Sequence, residues 1–145
     1  MIITNRDFVR PLRPIRIGTE IIQYVKTTSL LGIEVDNKMT WNAQAKKVIN
    51  SYSAKVGQLK RMAYLPIHVQ EEIYFKTIIA AVAYGMTVWW TGSPVHTEDL
   101  ERIHVRAARV IHRLPRDISD DEILRLAKYD RLDYICKRKV LTIMH

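Results

Sequence analysis

The spacing of apolar positions changes character once along the chain. Over the first 36 residues it reads as strands. Ile15-Arg16-Ile17 and Ile21-Ile22-Gln23-Tyr24-Val25 flank Gly18-Thr19. Glycine at the first of two central positions suits a tight hairpin turn. Ser29 to Val35 is a third, mostly apolar segment interrupted by Gly32, which inside a strand marks a bulge or a close backbone approach. Asp36-Asn37-Lys38 turns the chain.

Beyond that turn the period is helical. Trp41, Ala45, Val48, Tyr52, Val56, Leu59 and Ala63 step by threes and fours, with Thr40 placed to cap the helix and Lys47, Lys55, Gln58 and Arg61 on the other side. Pro66 opens a second helix, and Glu71 and Glu72 near its start suit the dipole. Ile73 to Tyr84 is apolar nearly all round and stops at Gly85, so neighbouring helices are expected to surround it. Gly92-Ser93-Pro94 reads as a loop. Thr97 is expected to cap a helix whose core stripe is Leu100, Ile103, Ala107, Val110, Ile111 and Leu114, ended by Pro115. Ser119 to Glu122 forms a capping box for a short helix to about Lys128, and a last helical pattern runs from Leu132 to Ile143. That last pattern has no stop signal, so the chain is expected to be cut inside an element. The expectation is an α+β chain: a small antiparallel β portion at 1–38, a mainly α-helical bundle at 39–116, and a C-terminal helical connection at 117–145.

Composition narrows this picture. The 145 residues suit one domain, or one with a small appendage, and 48% hydrophobic residues suffice for a core. The single cysteine, Cys136, excludes an intramolecular disulfide scaffold and a multi-cysteine zinc site. The opening residues lack the pattern of a secretory signal. The apolar run to Trp90 is interrupted by Lys76 and falls short of the roughly 20 residues of a membrane span. An intracellular protein, nuclear or cytoplasmic, with no membrane partner is therefore expected. The net charge of +8 is concentrated: residues 1–65 carry 11 basic and 4 acidic side chains, and residues 66–145 carry 12 and 11. Such a balance points to an anionic partner, nucleic acid above all.

Two basic sets fit that partner. Arg102, Arg106, Arg109 and Arg113 repeat at helical spacing, a ladder about 16 Å long if all four sit on one helix. Arginine suits phosphate because its forked donors keep their charge. Lys46, Lys47, Lys55, Lys60 and Arg61 form the second set, on a helix with no acids of its own. A solvated face paired with Glu98, Asp99, Glu101 and nearby acids is the alternative reading of the arginines. His104 and His112 are about 12 Å apart along one helix, too far to share a metal. Asp120-Asp121 reads as a helix start, since two-metal phosphoryl transfer needs carboxylates converging from a strand turn. Trp89-Trp90 is read as core, although adjacent indoles also stack on bases. No motif surrounds Cys136, and no nucleophile elbow or P-loop is present.

Several blocks resemble one family. Leu31-Gly32-Ile33-Glu34-Val35-Asp36 followed by Met39-Thr40-Trp41 resembles the Leu-Gly-x-x-x-Asp…Trp block of reverse transcriptases from non-LTR (LINE-type) retrotransposons. Leu65-Pro66, Ile73-Tyr74, Tyr84-Gly85 and Val88-Trp89 follow in the family's order. The stretch from Leu100 to Ile111 is similar to its Leu-Glu-x-x-Gln-x-x-Ala-x-Arg-x-Ile helix, with His104 where the family has Gln and Leu30 where an aromatic is common. The likeness implies that residues 1–36 are the end of the palm with the primer-grip segment, where Leu31, Gly32 and Asp36 are the primer-grip-like residues. Residues 40 to about 114 would be thumb helices. It also implies that the aromatic-x-Asp-Asp motif lies before residue 1. The chain is then a non-catalytic fragment of an RNA-directed DNA polymerase that grips primer–template. It binds no cofactor, because Mg belongs to the missing palm, and it could pair with a palm domain or another chain. A helical protein-interaction module and a remnant without function are the alternatives.

Overall fold

The computed structural model describes residues 3, 14–90 and 93–143. Gly92 and His145 lie outside them. The fold is α+β and mainly helical, with four short antiparallel strands in two hairpins followed by helices. One unit runs to Gln44, and a second begins at Ala45.

In the first unit, β1 (Ile15–Ile17) pairs with β2 (Glu20–Ile22) around Gly18, whose φ is +62°. β3 (Thr27–Leu30) pairs with β4 (Ile33–Asp36), Leu30 opposite Ile33. Gly32 is therefore not a bulge within one strand. It closes a two-residue turn with Leu31, and both residues have positive φ, +50° and +81°. Two positive φ values give the turn whose twist matches that of its strands. Leu31 holds a left-handed conformation that L side chains disfavour by about 1–2 kcal/mol, and it is 82% exposed at the hairpin tip. Gln44 Oε1 accepts the Glu34 amide at 2.8 Å.

The second unit is helical, and the first helix reaches it across residue 45. Helix α1 (Asn42–Arg61) buries Ala45, Tyr52, Val56 and Leu59, the stripe expected of it. Ala63, expected on that stripe, lies past the helix end and is exposed. Next come α2 (Ile67–Ile73), one π-helical stretch at Tyr74–Ile78, and α3 (Ile79–Val82). Gly85, with φ +62°, separates α3 from α4 (Met86–Trp89). This apolar segment is not surrounded on all sides. Tyr74, Ile78, Ile79, Val82, Met86 and Trp89 are buried, whereas Ala80, Ala81, Tyr84 and Val88 face outward.

Helix α5 (Pro94–Ile111) begins earlier than Thr97. Pro94 takes the first helical position, where its missing N–H costs nothing, and the Thr97 hydroxyl donates back to the Ser93 carbonyl at 2.9 Å. Seven α5 side chains are buried, including His104, so α5 is the central strut. Helix α6 (Asp120–Ala127) is capped as its sequence indicates, with Ser119 Oγ accepting the Glu122 amide at 3.4 Å. Val105 and Ala108 of α5 pack with Ile123, Leu124 and Ala127 of α6. Helix α7 (Leu132–Ile143) buries Leu132, Ile135 and Cys136. Among the described residues no helix is long and apolar enough to cross a membrane.

Candidate nucleic-acid interface

The arginine ladder is broken by the way α5 ends. Pro115 disfavours helical backbone in the residue before it, and the chain leaves α5 through a left-handed residue, Arg113 at φ +55°. The Leu114 amide donates to the Arg109 carbonyl at 3.0 Å and the His112 amide to the Ala108 carbonyl at 3.0 Å, which satisfies these two carbonyls of the last turn. Arg102, Arg106 and Arg109 remain on the helix. Arg113 does not, which corrects the expectation of four guanidinium groups on one helical face.

The displaced Arg113 turns toward the end of α1. Its Nη2 donates to the Ala63 carbonyl at 2.6 Å. Arg106 Nη2 donates to the Ser53 carbonyl at 3.1 Å and to Ser53 Oγ at 2.8 Å. Arg106 therefore bridges α5 to α1, and Arg113 ties the turn after α5 to the turn after α1, both anchored to neutral oxygens. Arg109 is less exposed. Its Nη2 lies 3.5 Å from both the Ile118 carbonyl and Asp120 Oδ1, and its buried Nε has no acceptor. With Lys60 and Arg116 these side chains wall a groove of about 670 Å³ floored by Ala63, Val110 and Leu114. Five cations line it, and no carboxylate does.

The other candidates are placed elsewhere. Lys46, Lys47 and Arg61 are exposed on α1 and Lys55 is half-buried, but none of the four lines the groove. Arg102 pairs with Asp99 at 3.4 Å and Glu98 at 3.9 Å. It faces a different cleft, of about 420 Å³, shared with Glu101, Asp120, Asp121 and Arg131. There burial pushes the Glu101 carboxyl up, against the Leu132 amide that donates to it at 2.9 Å. Asp120 and Asp121 occupy the first turn of α6, exposed and apart from any strand. Among the described residues no three His, Cys, Asp or Glu side chains converge as metal ligands would.

Asp36 is occupied locally. Its carboxylate accepts the amides of Lys38 and Thr40 at 3.0 Å, the amide of Trp41 at 2.9 Å and the Thr40 hydroxyl at 3.1 Å. Burial pushes this carboxyl up, but those donors outweigh it and hold the group below the usual carboxylate range. The Leu-Gly-x-x-x-Asp…Thr-Trp spacing is thus a local fold: a hairpin tip at Leu31-Gly32 and a carboxylate that ties the turn leading to α1.

Beneath the groove's helices lies a polar chain that the sequence reading passed over. Tyr52 Oη and Tyr74 Oη are 2.6 Å apart, Tyr74 Oη is 2.5 Å from His104 Nδ1, and His104 Nε2 is 3.0 Å from the Asp130 carbonyl. The carbonyl can only accept, so Nε2 carries the proton, Nδ1 accepts from Tyr74, and the imidazole is neutral. Burial lowers the His104 pKa to about 4, opposed by the Asp130 carbonyl, and raises both tyrosines. Tyr129 stacks on Tyr74 at 6.0 Å and donates to Glu71, whose Oε1 also lies 3.2 Å from His112 Nε2. The signal was available: His104 falls between Leu100 and Ala108 on the buried face. Trp89 is buried with its indole N–H on the Tyr84 carbonyl at 3.1 Å. Arg116 was also passed over, because it follows Pro115 outside every helical pattern.

No family model, curated protein or solved structure matches the chain.

Proposed function

We propose that the chain is a non-catalytic helical grip for nucleic acid, the part played by the thumb in the retrotransposon reverse transcriptases its sequence resembles. The observation that carries this reading is the groove walled by Lys60, Arg106, Arg109, Arg113 and Arg116, where the carboxylate of Asp120 approaches Arg109 at 3.5 Å. Phosphates neutralise such a wall and release counterions, which supplies sequence-independent affinity. A guanidinium has five donors, so Arg106 and Arg113 keep most of theirs for a ligand after bonding to Ser53 and Ala63. Helix α1 adds Lys46, Lys47 and Lys55 as a second charged face. Mg and the chemistry of polymerisation belong, in this reading, to a palm outside the chain.

The experiment is binding to a primed RNA template before and after Lys46→Glu, Lys47→Glu and Lys55→Glu together, alongside a metal-dependent extension assay. Weaker binding by the variant and no template-dependent incorporation are expected. Unchanged affinity at low salt removes these lysines from the interface, and incorporation by the chain alone refutes the non-catalytic assignment.

A protein-interaction module is the second reading, favoured by exposed apolar surface. The β1–β2 hairpin leaves Ile15, Ile17, Ile21 and Ile22 between 42% and 70% exposed. A two-stranded ribbon with open edges invites a partner strand. Salt-insensitive association would favour it.

A further inference from the structure

A smaller cavity of the helical unit shares no lining residue with the cationic groove. It holds about 280 Å³ between the π-helical stretch, the turn after α6 and α7. Ile79 and Ile135 lie at its base, 3% and 8% exposed. The rings of Phe75 and Tyr129 meet edge to face beside them, centroids 4.9 Å apart. The volume is just below the range that encloses a whole small molecule, and it suits one or two bulky side chains.

These walls are held in place by bonds that no ligand has to make. Tyr129 stacks on Tyr74, and its hydroxyl donates to Glu71. The turn that carries Tyr129 is closed by the Lys128 amide on the Arg125 carbonyl and the Tyr129 amide on the Leu124 carbonyl. His104 Nε2 donates to the Asp130 carbonyl in the same turn. Phe75 is placed by the π-helical stretch. Gln70, Tyr74, Ile78 and Val82 are all buried although they step by four. Each such step overshoots an α-helical turn by about 40°, so a regular helix would carry this series off one face. The wider turn at Tyr74–Ile78 absorbs the drift. It keeps Tyr74 on His104 and leaves Phe75 37% exposed at the cavity. Turns of this kind are frequent at functional sites.

The rim supplies the charge. Lys128 and Arg138 are exposed and line the cavity, and among the described residues neither side chain is in an ion pair. Asp130 is the one carboxylate in the lining among the described residues, so the rim is net positive. A bulky apolar side chain with carboxylates beside it is complementary on both counts. Burial of such an anchor supplies most of the affinity of an interface, and rim charges steer and orient the partner.

We propose that this cavity docks an acidic segment of a partner protein. One bulky apolar side chain enters between Phe75, Ile79, Tyr129 and Ile135, and flanking carboxylates pair with Lys128 and Arg138. The proposal goes beyond the nucleic-acid reading and stands whether or not the cationic groove takes phosphate.

The test is fluorescence anisotropy of the full chain with labelled peptides Asp-Glu-x-Glu-Asp, where x is Phe, Leu or Trp. Controls carry Ala at x, or Lys in place of every acid. Two double variants separate the sites: Lys128→Asn/Arg138→Gln at the cavity, and Lys60→Gln/Arg116→Gln at the groove. All four substituted side chains are exposed, asparagine tolerates the left-handed backbone of residue 128, and melting curves confirm that both variants fold. At least one apolar anchor is expected to bind about tenfold tighter than the Ala peptide, and the Lys peptides are expected not to bind. The cavity variant is expected to weaken the anchored peptide about fivefold or more, and the groove variant to change it less than about twofold. Equal binding of the Ala peptide overturns the proposal, and so does weakening by the groove variant alone, since either result means bare charge attraction. Absence of binding by all three anchored peptides at millimolar concentration overturns it as well.

Discussion

His104 makes the stability of the helical unit depend on pH in a calculable way. The imidazole is fully buried and neutral, accepting from Tyr74 and donating to the Asp130 carbonyl. Its pKa falls from 6.5 to about 4 on folding, mainly through burial. Because the folded value is the lower one, the unfolded chain takes up a proton first as pH falls. The neutral ring's contribution is intact above pH 6.5, is lost progressively between 6.5 and about 4, and is gone below that. At 1.36 kcal/mol for each pH unit, the loss between pH 7 and pH 4.5 is roughly 2–3 kcal/mol. Carboxylates titrate in part of the same window, so the measurement is a difference. Urea unfolding at pH 7 and pH 4.5 is compared between the natural chain and His104→Gln, whose amide keeps a donor and an acceptor but does not titrate. The natural chain is expected to lose roughly 2–3 kcal/mol more than the variant over that interval. Equal losses would refute the buried neutral histidine.

Two further outcomes follow from local geometry. Ser119→Ala removes the acceptor of the Glu122 amide and is expected to cost about 1 kcal/mol in urea unfolding; no change would mean the cap is supplied otherwise. Leu31→Asn places a residue tolerant of left-handed backbone at φ +50° and is expected to raise the β3–β4 hairpin population, by about 1 kcal/mol, read from amide hydrogen exchange; a lower population would contradict the strain argument.

The helices were legible wherever apolar spacing and end signals agreed. Ser119 marks the start of α6 because a capping hydroxyl and a clear apolar period coincide there, and Leu132 marks the start of α7 by its apolar period. Fold class followed from the switch of period near Asp36. What escaped was set by backbone geometry at single residues. Leu31-Gly32 read as an interrupted strand because leucine seldom adopts positive φ, and a turn built on it carries no compositional mark. Gly92-Ser93-Pro94 reads as loop by composition, although proline is at home in a first helical turn. The arginine ladder looked continuous because spacing alone cannot see that Pro115 ends the helix early and turns Arg113 aside. That same turn assembles the groove, since it brings Arg113 and Arg116 to Lys60. The Tyr52–Tyr74–His104 chain joins three separate segments, and the partners of a lone polar residue on an apolar face come from packing.

The most direct measurement of the central claim is the salt dependence of the chain's affinity for a primed RNA–DNA duplex. Neutralising phosphates with the four groove cations other than Arg109, which faces Asp120, is expected to give log K falling against log salt with a slope of about −3 to −4. A flat dependence, or no binding at low salt, would contradict it.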